Sequence, residues 1–189
     1  MRTITSLLGV ALSCAAAFAA DAPTVAQIYD SQLRNAERDI VSLAEAMPAE
    51  KYNFAPTNGQ FAGVRTFAQQ VKHIATFEYV GAAAVLGEKP PIDQGKNENG
   101  PDSIQSKQQI VKFLKDSFAY GHKALQTLTN QNQLDMVASP FGRGEVPRLN
   151  AALFIEWHPF DHYGQMVEYA RMNGVVPPSS VPRPPRSQK

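Results

Sequence analysis

The chain has 189 residues, 43% hydrophobic and 19% charged, which is room for one well-packed core and short for two. Its 18 Lys and Arg face 17 Asp and Glu, and removing Arg2 with the N-terminal segment discussed next leaves 17 against 17. A neutral chain without a basic cluster argues against nucleic acid as a partner, because phosphate binding depends on clustered Lys and Arg releasing counterions.

Residues 1–20 differ from the rest. Met1-Arg2 supplies a positive start, "ITSLLGVALSCAAAFA" is apolar, and Ala17-Phe18-Ala19 fits the small-x-small pattern of a signal-peptidase site. We expect a cleaved signal peptide and an exported, periplasmic protein with no transmembrane anchor in the mature chain, since the run is short and lacks a basic stop-transfer flank. The alternative is a lipoprotein with "ALSC" as the lipidation site; Ala11, where Leu is usual, weakens it. Cys14 is the only cysteine, so ordinary cleavage leaves no disulfide, thiolate ligand or cysteine nucleophile.

From Thr24 to Met47, Val25, Ile28, Tyr29, Leu33, Ala36, Ile40, Leu43 and Ala44 recur at three- and four-residue steps, the spacing of one helical face. Pro48 ends this helix, and a loop rich in Pro, Asn and Gly follows. Thr66 is the expected N-cap of a second helix, whose stripe of Phe67, Val71, Ile74, Phe77, Ala82, Val85 and Leu86 stops at Gly87, with His73 at its edge. "EKPPIDQGKNENGP" reads as an exposed connection.

A third helix is expected from Ser103, its face traced by Ile104, Lys107, Val111, Leu114, Phe118, His122, Leu125 and Leu128. Gly142 and Gly144 then suggest a turn or small hairpin. The fourth helix is expected over about 150–173, with Leu153, Phe154, Trp157, Met166, Tyr169 and Ala170 on its face and Gly174 at its end. Four amphipathic segments without a strong strand signal predict an all-α four-helix bundle, with a short irregular or hairpin segment before the last helix. The expected organisation is signal 1–20, bundle domain 21–178 and a Pro-rich tail over 179–189.

His158 and His162, four apart, share a helical face and could reach one point. Zinc proteases with that spacing need Glu directly after the first His; here Pro159 stands there, so that chemistry is excluded. Pro159 also removes an amide and crowds the Ile155 carbonyl, predicting a distorted turn at the site. A metal site needs a third ligand from elsewhere, and His73 and His122 are the other histidines. Each also suits a neutral core histidine bonded to a carbonyl. Trp157 reads as core, and Gly164 as a close helix contact or crowding near the site, since glycine inside a helix costs about 1 kcal/mol.

The stretch "HPFDHYGQMVEYARMNGVVPPSS", residues 158–180, resembles the C-terminal helix of the DinB-like (YfiT-like) family, with its His-x-x-x-His-Tyr-Gly-Gln and Tyr-x-Arg-x-x-Gly steps. Residues 47–84 resemble the family's other recognisable part: a Tyr-x-Phe-x-Pro loop, Arg-Thr-Phe leading into helix two, and a histidine mid-helix. The resemblance implies an up-down-down-up bundle and a three-histidine divalent-metal site made of His73, His158 and His162, with His122 left to a core or supporting role. Pro159 and Phe160 depart from the polar residues often found between the paired histidines. The ion expected is zinc, nickel or iron, since imidazoles do not choose among them.

Three imidazoles leave open coordination positions, the arrangement of a reactive site. Asp161, Glu156, Glu78 and Tyr163 are candidates to orient a histidine or relay a proton; no other cofactor is indicated. Three functions follow. The first is a metal-dependent transferase or hydrolase on a small molecule; relatives of the bundle include enzymes that use bacillithiol or mycothiol, though export separates the chain from those cytoplasmic thiols. The second is a non-catalytic metal-binding or stress-associated envelope protein. The third is a plain interaction bundle with core histidines. A homodimer through an exposed helical face fits all three.

Overall fold

In the computed structural model, residues 22–182 are described. The expected signal peptide, Cys14 and the end of the expected tail lie outside the described residues. The described chain is mostly helical: α1 (Val25–Ala46), α2 (Phe67–Leu86), α3 (Lys107–Leu125) and α4 (Arg148–Met172), with a two-stranded antiparallel hairpin, β1 (Met136–Ala138) and β2 (Glu145–Pro147), before α4. None of these helices is long and apolar enough to cross a membrane.

Three helices start on the same device. Thr24 with Gln27, Thr66 with Gln69 and Ser106 with Gln109 each form a capping box, in which hydroxyl and amide side chains satisfy each other's free backbone N–H groups. The box at Ser106 corrects the expected start at Ser103: only Ser106 has its glutamine three residues on, so residues 103–105 stay outside the helix. This helix also ends at Leu125, short of Leu128, where Thr127 turns its Oγ1 back onto the Ala124 carbonyl at 2.7 Å. At α4 no side chain caps the start. There the amides of Arg148 and Leu149 donate to the Asp135 and Gln133 carbonyls at 2.8 and 2.9 Å, which starts the helix two residues earlier than expected.

Each helix packs on two others, α2 against α3 and α4, and α1 against the same pair. The start of α1 meets the end of α3 where His122 Nδ1 lies 2.6 Å from Asp30 Oδ1, and the start of α3 meets the end of α1 where Lys107 Nζ donates to the Glu45 and Met47 carbonyls at 2.7 and 2.8 Å. These two helices therefore run in opposite directions. Arg148, at the start of α4, reaches the Val85 carbonyl at the end of α2, so that pair is also antiparallel. The common core contains Leu33, Ile40, Leu43, Phe67, Ile74, Leu114, Phe118, Ile155 and Met166, all at or near zero exposure.

The loop before α2 owes its shape to its aromatic residues. The carbonyls of Tyr52 and Phe54 accept from the first amides of α2, Ala68 at 2.8 Å and Phe67 at 2.9 Å. The Tyr52 ring packs edge-on against Phe67, and Phe54 against Tyr169 of α4. The Tyr-x-Phe spacing thus closes the N-terminal end of α2 while tying it to α4.

Helix α2 is buried on nearly every side, beyond the single stripe expected, because Gln70, Lys72, His73, Thr76 and Glu78 are buried along with the apolar residues. It packs tightly on α4 at Gly81, where a Cβ would stand 2.9 Å from Phe154 Cδ1 and closer still to Ile155 Cγ2. The expected crowding at Gly164 is not found; no atom lies within 4 Å of a Cβ placed there. Packing on Gly81 turns Phe154 and Ile155 inward, and residues on the opposite side of α4 turn outward. Leu153 and Trp157 are each 48% exposed, so neither belongs to the core as expected. The helix also continues unbroken through Pro159, where an irregular turn was expected. Its neighbours Phe154, Ile155, His158 and His162 are held by packing, which outweighs the loss of one backbone hydrogen bond.

Candidate metal centre

His73 lies in the middle of α2, and His158 and His162 lie one turn apart on α4. The Gly81 contact draws the two helices together, and the three imidazoles converge. Their candidate ligand nitrogens all lie within 4.8 Å of one another, the only such group of His, Cys, Asp or Glu among the described residues. Ring centres are 4.6 Å apart for His73 and His162, 4.7 Å for His158 and His162, and 5.3 Å for His73 and His158. Metal–nitrogen bonds of about 2.0–2.1 Å at angles between right and tetrahedral put ring centres roughly 4.5–5.2 Å apart. The donor set fits a divalent ion.

Two of the imidazoles have one nitrogen committed. His73 Nδ1 donates to the Glu98 carbonyl at 2.8 Å, and His162 Nδ1 donates to Gln70 Oε1 at 2.7 Å. An oxygen of either kind only accepts, so both rings carry the proton on Nδ1 and present Nε2 as the free lone pair. Gln70 Nε2 in turn donates to Gln165 Oε1 at 2.8 Å, so the amide bonds at both ends. His158 is held by aromatic contacts, with Phe77 and Phe154 ring centres each 4.9 Å away.

Burial is the main reason all three rings stay neutral. It pushes His73 down to about 4, with the Glu98 hydrogen bond opposing and the charge of Arg65 adding to the shift. It pushes His158 down to about 3, reinforced by the other two histidines and Arg65. His162 is also lowered by burial, partly countered by Asp161. Neutral imidazole is the form that ligates a metal.

A cleft of about 520 Å³ opens onto His73 and His158. Its walls come from Phe77, from Gln94 and Glu98 of the loop before α3, and from Pro140, Phe141 and Gly142 at the hairpin tip. That loop, expected to be a plain exposed connection, therefore both supplies a hydrogen bond to His73 and walls the cleft.

The remaining sequence candidates lie elsewhere. Asp161 is exposed and reaches His162 through its charge; Tyr163 donates to or accepts from Ser179 Oγ at 2.6 Å on the outer face. Glu78 and Glu156 have both carboxyl oxygens buried and without a hydrogen-bond partner among the described residues, so neither orients a histidine through a bond. Burial raises Glu156 to about 8, with Asp30 adding, and raises Glu78 well above the usual carboxylate range, with Glu156 and Glu37 adding. His122 stands apart between Asp30 and Glu37 in the α1–α3 interface.

Gln70, Gln165, Glu98 and Arg65 are contributors to which sequence reasoning gives no role, although Arg65 and Gln165 stand in the Arg-Thr-Phe and His-Tyr-Gly-Gln motifs. Gln70 precedes His73 by three residues and Gln165 follows His162 by three, so helical spacing could have flagged both amides. Nothing local marks Glu98, because its contact with His73 is made by a backbone carbonyl.

A sequence profile described as the DinB superfamily matches residues 32–166. No curated protein matches the chain by sequence. Among solved structures, a DinB-like protein from Bacillus cereus superposes with a TM-score of 0.62 at 18% identity, covering 79% of this chain and 93% of that one. A conserved protein from Enterococcus faecalis gives 0.63 at 16% identity, covering 80% and 98%. A DinB-like protein from Bacillus subtilis gives 0.57 at 18% identity, covering 86% and 99%. At such identities these structures speak for the fold.

Proposed function

This chain belongs to the DinB superfamily, and on that premise we propose that it is an exported metal-dependent enzyme, a transferase or hydrolase acting on a small molecule at one divalent ion held by His73, His158 and His162. The four helices are read as an up-down-down-up bundle. The antiparallel pairs α1–α3 and α2–α4 and the absence of an extended α1–α2 contact among the described residues support that order. Export rests on the apolar run of residues 1–20 and its small-x-small end.

The observation that carries the reading is the orientation of the rings: three buried neutral imidazoles converge, two of them tied back through Nδ1. Neutral imidazoles turned toward one point at the edge of a cleft are a ready donor set for a metal ion. Held by His73, His158 and His162, a zinc, nickel or iron ion would supply Lewis acidity to a bound substrate. The chain's own residues do the rest. Gln70, supported by Gln165, holds His162; the Glu98 carbonyl holds His73; Phe77 and Phe154 pack against His158 and set its ring at the edge of the cleft. Phe77, Pro140 and Phe141 offer apolar contact to a substrate entering the cleft, while Gln94 and Glu98 offer polar contact.

The test is elemental analysis of untagged protein, followed by titration of metal-free protein with Zn²⁺, Ni²⁺ and Fe²⁺. One equivalent of tightly bound ion is expected in wild type and none in His73→Ala, His158→Ala or His162→Ala. Stoichiometric metal that persists in these variants overturns the ligand set. A substrate screen on the loaded protein then tests turnover, and esters, amides and thiol-transfer pairs are the classes to offer.

A further inference from the structure

Resting on the reading of the three histidines as one ligand set, we infer that Arg65 is a positioning residue: it clamps the loop 94–100 so that the Glu98 carbonyl holds His73 with Nε2 free for the shared site.

Arg65 stands immediately before the N-cap of α2, and its backbone is pinned by the Tyr169 hydroxyl of α4, which donates to the Arg65 carbonyl at 3.2 Å. From there its guanidinium reaches three successive residues of the loop. Nε donates to Asn99 Oδ1 at 2.8 Å, Nη2 donates to the Asn97 carbonyl at 3.0 Å, and Nη2 lies 3.8 Å from Glu98 Oε2. One planar fork therefore grips the backbone on one side of Glu98 and a side chain on the other, and the Glu98 carbonyl between them accepts from His73 at 2.8 Å.

The loop needs such a grip. Asn97 and Glu98 both occupy the left-handed region, with φ of 56° and 53°, a conformation that two consecutive side-chain-bearing residues rarely hold unaided. Its base is closed separately: the Gly100 amide donates to the Gln94 carbonyl at 2.8 Å, and a Cβ at Gly95 would collide with the Gly100 backbone. Lys72 Nζ donates to the Pro101 carbonyl at 2.8 Å just beyond. The base is thus fixed by the loop itself and by Lys72, while the tip that meets His73 is fixed by Arg65. The same clamp sets the cleft wall formed by Gln94 and Glu98.

A bare positive charge at Arg65 would do the reverse, repelling a divalent ion nearby. The two roles therefore predict opposite signs. Full-length Arg65→Ala, Arg65→Lys and Asn99→Ala are compared by Zn²⁺ competition titration and by ¹H–¹⁵N spectra of the histidine rings in metal-free protein, with circular-dichroism melts to verify folding. Asn99→Ala changes no charge. Expected are about 10- to 100-fold weaker Zn²⁺ binding in Arg65→Ala and a loss of the same sign in Asn99→Ala, with incomplete rescue by Arg65→Lys, because an ammonium cannot match the fork. In the metal-free variants the hydrogen-bonded Hδ1 signal of His73 is lost while that of His162, held by Gln70, remains. Zn²⁺ affinity unchanged or raised in Arg65→Ala, or a His73 Hδ1 signal intact in both Arg65→Ala and Asn99→Ala, overturns the clamp. Should wild type bind no Zn²⁺, the ligand-set reading fails, and the metal-free ring spectra still decide the role of Arg65.

Discussion

His162 Nδ1 donates to Gln70 Oε1 across the α2–α4 interface at 2.7 Å, and the same amide passes a hydrogen bond on to Gln165 at 2.8 Å. Two residues 92 positions apart thereby settle which nitrogen of His162 faces the other imidazoles. Removing Gln70 leaves the ring free to rotate and its tautomer unspecified. Gln70→Ala is expected to weaken Zn²⁺ binding by about 10- to 100-fold, the usual range for losing a partner that orients a ligating histidine. Gln165→Ala, one bond further out, is expected to weaken it less. Competition titration measures both, and a Gln165→Ala effect larger than that of Gln70→Ala contradicts the relay.

Gly81 makes the convergence of α2 and α4 sterically possible, since a methyl there would press on Ile155 and Phe154. Gly81→Ala is therefore expected to destabilise the protein by about 1–3 kcal/mol, as overpacking does. Because the strain falls on the interface that carries all three histidines, Zn²⁺ affinity should fall as well. Urea denaturation and metal titration check the two effects together; at the exposed Gly164, where a Cβ meets nothing within 4 Å, the same substitution should instead be neutral or mildly stabilising.

Glu78 carries a pH dependence. Its carboxyl is raised well above its usual range by burial first, then by the charges of Glu156 and Glu37. The folded protein thus keeps a proton that the unfolded chain releases near the ordinary carboxylate value, so stability falls as pH rises above about 4.5 toward the folded value. Glu156, raised to about 8, acts in the same direction. Glu78→Gln keeps the shape and removes the ionisation. Its stability relative to wild type should therefore improve between pH 6 and pH 9, read from urea midpoints at the two pH values, and an unchanged difference refutes the assignment.

Glu98 separates carbonyl from carboxylate. Its backbone oxygen holds His73, while its φ of 53° is unfavourable for a glutamate and free of cost for glycine. Glu98→Gly keeps the carbonyl and relieves the strain, so a gain in stability of about 1 kcal/mol with Zn²⁺ affinity within a few-fold of wild type is expected. Thermal melts and competition titration give the two numbers; a large loss of affinity would assign the holding role to the carboxylate.

How much of this was legible beforehand differs by residue. Helix positions followed from three- and four-residue spacing, and the ends were sharpest where a Ser or Thr met a Gln three residues on, because capping is a local event. The third helix starts at Ser106 and not at the expected Ser103 because hydroxyls are common and only the reciprocal glutamine partner marks the cap. Leu153 and Trp157 were misplaced because helical spacing around α4 is apolar on more than one side, and the inward side was chosen by the Gly81 contact.

The sequence by itself determined four helical segments and a histidine pair one turn apart, because both depend only on the geometry of a single helix. Spacing could not choose between His73 and His122 as a neighbour of the pair, since each sits beside an apolar stripe. Packing of α2 on α4 clusters His73 with the pair and leaves His122 between Asp30 and Glu37. It alone also folded the loop 94–100 onto His73 and set Gln70 against His162. Those contacts join residues 25 and 92 positions apart, and only the packed core brings such residues within hydrogen-bond reach.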